Sequence, residues 1–100
     1  MTAFIACYDL KETDPKPHGE FLKQAAKRGW SVWISTTDEF KRLPNTTLTG
    51  DFSDVNAAGE ALKDTRSATQ TALGIAVALE KWYVGPIGAG LISSDEKKSK

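Results

Sequence analysis

The chain has a single cysteine, a single histidine and no excess of charge of either sign, and each scarcity removes a class of function. With Cys7 alone, no intramolecular disulfide and no cysteine-based zinc site can form. Thirteen Lys and Arg against thirteen Asp and Glu leave a net charge of zero, so no overall field draws the chain to nucleic acid or membrane. A non-specific coating of nucleic acid, which goes with a clear basic excess, is therefore not expected. The apolar runs fall far short of the ~20 residues of a membrane helix. No basic-then-apolar leader opens the chain, because strand-like residues begin at Ala3, and a cytoplasmic location is expected. Neither a Walker loop, a Gly-rich dinucleotide fingerprint nor a paired-histidine metal motif occurs.

What is present starts with Ala3-Phe4-Ile5-Ala6-Cys7-Tyr8-Asp9-Leu10, where six apolar or aromatic residues lead into an aspartate. Apolar residues at both parities predict a central strand over Ala3–Asp9, covered on both faces, with Cys7 behaving as a small buried hydrophobe. Lys11–Pro17 contains two prolines and is a charged loop. Phe21, Leu22, Ala25 and Ala26 recur at helical spacing over His18–Lys27, and Gly29 follows as a stop signal. Trp30–Thr37, aromatic and β-branched, predicts a second strand, and Asp38–Asn45 reads as a connection.

Thr46–Phe52 predicts a third strand. Ser53 and Asp54 are placed to open a second helix, with Val55, Ala58, Leu62, Thr65, Thr69, Ala72 and Leu73 along one stripe and Gly74 at its end. Ile75–Val84 predicts a fourth strand, and the polar run Ser93–Lys100 a disordered tail behind a single domain over residues 1–92. The order strand, helix, strand, strand, helix, strand is the split βαβ pattern. The expected fold class is therefore α+β, ferredoxin-like βαββαβ, a four-stranded antiparallel sheet with two helices on one face. The face opposite the helices then needs a cover, either a second protomer or the Ile87–Ile92 segment, and a homodimer is expected.

Asp9 stands where the first strand ends, with Glu12 and Asp14 close in sequence. Two readings follow: a Mg²⁺ or Mn²⁺ site of oxygen ligands, or an acid that accepts backbone N–H bonds in the loop. His18 and Cys7 are the one thiol–imidazole combination the chain can offer, and nothing in the sequence near Cys7 supplies exposure or a lowered pKa. Lys23, Lys27 and Arg28, joined by Lys41 and Arg42, make a basic edge able to meet phosphate, and equally the solvated face of any helix. Trp30, Trp33, Phe40, Trp82 and Tyr83 interleave with Lys41, Arg42 and Lys81, a composition suited to base stacking or to packing.

The strand ending in Tyr8-Asp9-Leu10, the helix after it, and Thr46–Phe52 followed by Ser53-Asp54 resemble the small CRISPR-associated endoribonuclease family and its relatives, including the virulence-associated ribonuclease toxins. The resemblance covers about residues 3–84 and is one of pattern. It implies that Asp9 is a catalytic metal ligand at the interface of a symmetric homodimer, with Tyr8 beside it and nucleic acid as partner. The mixed-sign loop Lys11-Glu12-Thr13-Asp14 departs from the basic loop of that family. The functional expectation is a homodimeric, nucleic-acid-associated or regulatory interaction module. Its rival is a metal-dependent ribonuclease using Asp9.

Overall fold

The computed structural model describes residues 1–100. Its elements run β1 (Thr2–Leu10), α1 (His18–Ala26), β2 (Trp33–Ser35), β3 (Glu39–Arg42), β4 (Thr47–Phe52), α2 (Val55–Leu73), β5 (Leu79–Pro86) and β6 (Lys97–Ser99). β1 is the middle strand of an antiparallel sheet ordered β4-β1-β5. Its even residues Phe4, Ala6, Tyr8 and Leu10 are buried with Phe21 and Ala25 of α1 and Ala58 and Leu62 of α2. Each large apolar side chain sequestered there contributes roughly 1.5–3 kcal/mol. Both helices thus lie on one face of this sheet.

The helix ends follow local chemistry. Asp54 caps α2 by accepting from the Ala57 N–H at 2.7 Å, and Gly74 closes it in the left-handed region at φ 69°. The buried Thr65 and Thr69 hydroxyls donate to the carbonyls of Ala61 and Thr65, both at 2.7 Å, so no polar cost is left inside the stripe. Val55 and Ala72, assigned to that stripe by spacing, lie exposed at the surface. Trp30 is buried against Phe52, ring centres 4.7 Å apart, and its Nε1 is a buried polar atom without a partner.

The expected four-stranded ferredoxin-like sheet is not formed. Two separate three-stranded antiparallel sheets occur instead, β4-β1-β5 and β2-β3-β6. The chain after α1 pairs with the β4 backbone through one bridge, Ser31 and Thr49, which exchange both N–H···O bonds at 2.8 Å. It then turns away, and Trp33–Ser35 pairs with Glu39–Arg42. The Thr36 hydroxyl and N–H both donate to the Glu39 carbonyl, at 2.7 and 2.9 Å, and tie off the intervening turn. A partner a few residues away closes a short loop at small entropic cost, which favours this hairpin over extension of the first sheet. β3 lies in the stretch expected to be a connection, and β6 lies in the tail expected to be disordered, where Lys97–Ser99 pairs with β3.

Two further differences bear on the site. The last strand of the first sheet begins at Leu79 rather than Ile75, because Val77 is buried and its N–H donates to the Gln70 side chain at 3.1 Å, holding this stretch against α2. Cys7, expected to be buried, is exposed on the helix-free face together with Asp9. Farther along that face, Ile5 and Cys7 line a cleft of about 810 Å³ with Ile34, Leu43 and residues of the 86–93 segment. The Ile87–Ile92 stretch does fold back there, without sealing it. No helix is long and apolar enough to cross a membrane.

Candidate functional site

Asp9 is exposed at the end of β1 and stands opposite Lys81 of β5, just before a shift of register at Leu10. Glu12 does not join it. Its Oε1 accepts from His18 Nε2 at 2.6 Å, a bond that, with the neighbouring charges, holds the Glu12 carboxyl below the usual glutamate range. Asp14 is exposed in the loop, and nowhere do three or more His, Cys, Asp or Glu side chains gather in a group able to hold a metal ion. A cation at Asp9 would draw most of its shell from water or another molecule. His18 is committed to Glu12 and not to Cys7.

The basic residues divide into two groups. Lys23 on α1 and Lys27 at its C-terminal cap are exposed, while Arg28 just beyond turns back onto the helix, its Nη1 donating to the Gln24 carbonyl at 3.0 Å and side-chain oxygen at 3.2 Å. Lys41 and Arg42 lie on β3, and here the fold adds residues the sequence did not associate with them. β6 brings Lys97 directly opposite Lys41 and Lys98 directly opposite Phe40. Lys98 Nζ sits 4.7 Å from the Trp33 ring centre and 5.6 Å from that of Phe40, and Lys100 Nζ is also 5.6 Å from Phe40.

Cross-strand register puts Trp33, Phe40, Arg42 and Lys98 on one face of this small sheet, and Ile34, Lys41 and Lys97 on the other. None of Lys41, Arg42, Lys97, Lys98 and Lys100 forms an ion pair, since the two ion pairs of the chain are Glu12–His18 and Glu60–Lys63. Like charges placed opposite each other, as at Lys41 and Lys97, destabilise a sheet unless an anion lies between them. The cation–ring contacts offset part of this cost. The one sequence signal for the added residues was the cationic run Lys97-Lys98-Ser99-Lys100, whose composition also suits a solvated tail. The exposed rings of Trp82 and Tyr83 sit on β5, in the other sheet.

No protein-family model matches the chain, and comparison with the curated proteins and with the solved structures gives no significant match.

Proposed function

We propose that the protein is a nucleic-acid-associated interaction module whose contact surface is the small β2-β3-β6 sheet. The observation that carries this reading is the set of three cations without carboxylate partners, Arg42, Lys98 and Lys100, beside two half-buried rings, Trp33 and Phe40. Cations neutralise backbone phosphates and release counterions, while ring faces accept bases of any sequence by stacking. A net charge of zero is compatible with this role because salt screening limits attraction to nearby charges, and Arg42, Lys98 and Lys100 lie together beside the rings.

Titration with a single-stranded RNA oligonucleotide, followed by tryptophan fluorescence, tests the reading. Quenching is expected, with log Kobs falling against log salt at about 0.7 per phosphate neutralised. Reversing two charges on the ring face (Lys98→Glu with Lys100→Glu) is expected to weaken binding about tenfold or more, since two charge-assisted contacts become repulsive. A salt-insensitive interaction, or an unchanged affinity in that variant, refutes the reading.

We further propose that the working form is a homodimer joined along β5. This strand is an open edge of the first sheet, eight residues long, and carries the exposed side chains of Trp82 and Tyr83. An edge of this length with unpaired backbone groups invites pairing with a second copy, and a two-fold axis would set β5 against β5. Light scattering at micromolar concentration is expected to return twice the chain mass of 10.9 kDa. A monomeric mass rules out the dimer and leaves the nucleic-acid test unaffected.

A further inference from the structure

We propose that the cleft bounded by the end of β1, the start of α1 and the β3–β4 turn is a subsite for a phosphate monoester, held by Arg42, the Tyr8 hydroxyl and His18. The assignment deepens the nucleic-acid reading, because Arg42 lies on a strand of the surface proposed there. The cleft measures about 380 Å³ and is lined by Tyr8, His18, Leu22, Val32, Arg42, Asn45 and Thr46. That is room for a phosphoryl group with part of what it is attached to.

Tyr8 and Arg42 in the lining have donor capacity that the protein leaves unused. Tyr8 is only 5 % exposed, its ring packed on Phe21 with centres 4.7 Å apart, yet its hydroxyl has no hydrogen-bond partner and is not sealed from solvent. A buried tyrosine ordinarily finds such a partner. Burial, opposed in part by the charge of Arg42, pushes its pKa up to about 12, so the hydroxyl stays a donor across the physiological range. Arg42 directs Nη1 to the Leu43 carbonyl at 3.0 Å and meets no carboxylate, which leaves the rest of its guanidinium fork free.

His18 enters from the first turn of α1. An ionised Glu12 can only accept, so Nε2 carries the proton of their 2.6 Å bond, and Nδ1 remains available. In its protonated form a ring held in that orientation would present a second N–H to an anion. The turn that completes the lining is held in an unusual conformation: Thr46, β-branched, has φ 58°. Its hydroxyl donates to the Asn45 carbonyl at 2.6 Å, while the Asn45 side-chain amide makes no bond within the protein. Such strain concentrates where a ligand is clamped. Guanidinium and phenol, joined by the His18 Nδ1–H when the ring is protonated, form a donor set that suits a dianion better than a diester, whose single charge offers less.

The test is a titration of isotope-labelled full-length protein with inorganic phosphate, with chloride as the ionic-strength control. Saturable shifts are expected at the Arg42 Nε–H, the His18 ring and the amides of Asn45 and Thr46. Arg42→Gln is expected to weaken the response about tenfold or more, with partial recovery in Arg42→Lys. Tyr8→Phe, which keeps the ring on Phe21, is expected to weaken it while leaving the unfolding midpoint nearly unchanged.

A second arm identifies the source of the phosphate. A 5′-phosphorylated oligonucleotide that outcompetes its 5′-hydroxyl counterpart at these resonances indicates a strand end, and a mononucleotide that matches it indicates a small nucleotide. Either result supports the subsite. Shifts that stay linear in phosphate, or that survive both Arg42→Gln and Tyr8→Phe, overturn it. If an oligonucleotide binds the small sheet and phosphate leaves the cleft unperturbed, this inference fails alone. If phosphate saturates the cleft and no oligonucleotide binds, the nucleic-acid reading fails alone.

Discussion

Phe21→Ala is expected to destabilise the protein by about 4 kcal/mol, the cost of removing a fully buried phenyl group and leaving a cavity. Phe21 has no exposure, and its ring lies against Tyr8 at 4.7 Å between centres and 33° between planes. It joins α1 to the central strand, so the loss is not confined to one helix. A change of this size is a large part of the roughly 5–15 kcal/mol that holds a typical domain folded. Urea denaturation should show the midpoint falling steeply with little change in slope. The same variant should also blunt the phosphate response of the cleft, because Tyr8 loses the surface that orients it. A loss below about 1 kcal/mol would mean that α1 is not docked through this residue.

Gly50→Ala is the second large effect, at about 3 kcal/mol, and arises from overpacking. A methyl group at Gly50 would come within 2.5 Å of the Gly29 carbonyl oxygen, 2.9 Å of the Phe52 ring and 3.2 Å of Trp30. The nearest of these is backbone, which cannot swing aside as a side-chain tip can. Gly50 lets the chain leaving α1 cross close over β4, and that crossing positions Ser31 for its paired bonds with Thr49. The variant should therefore lose hydrogen-exchange protection at the Ser31 and Thr49 amides before the rest of the sheet. Gly90→Ala is the matched control: nothing lies within 4 Å of a methyl group there, and its stability should stay near that of the parent. Equal stability of the two variants would show that the crossing shifts without cost.

Elements with a strong local code were legible in the chain. The unbroken apolar run Ala3–Tyr8 marks β1, although only the even residues Phe4, Ala6, Tyr8 and Leu10 are buried rather than both faces as expected, and the Asp54 cap and Gly74 stop mark the ends of α2. Thr47–Phe52 forms a strand as its alternation predicts. The miss at β3 has a physical cause. Glu39-Phe40-Lys41-Arg42 has one apolar residue, so its strand character comes from the partners that flank it rather than from its own pattern. The polar run that forms β6 hides for the same reason, and with it the cations that accompany Lys41 and Arg42.

Periodicity and end signals by themselves determined an α+β chain with two helices, but not the sheets, which are two of three strands rather than the expected one of four. They do so because burial periodicity, caps and stop residues act over a few neighbouring positions. Only the tertiary structure decided where Trp33–Ser35 finds its partner, because competing hairpin and sheet pairings differ in loop closure and packing that no single segment encodes. It alone opposed Lys41 to Lys97 across a strand pair. It also brought Tyr8, His18 and Arg42 from a strand, a helix start and a hairpin to the walls of one cleft. Side chains far apart in sequence meet only when all three segments are folded.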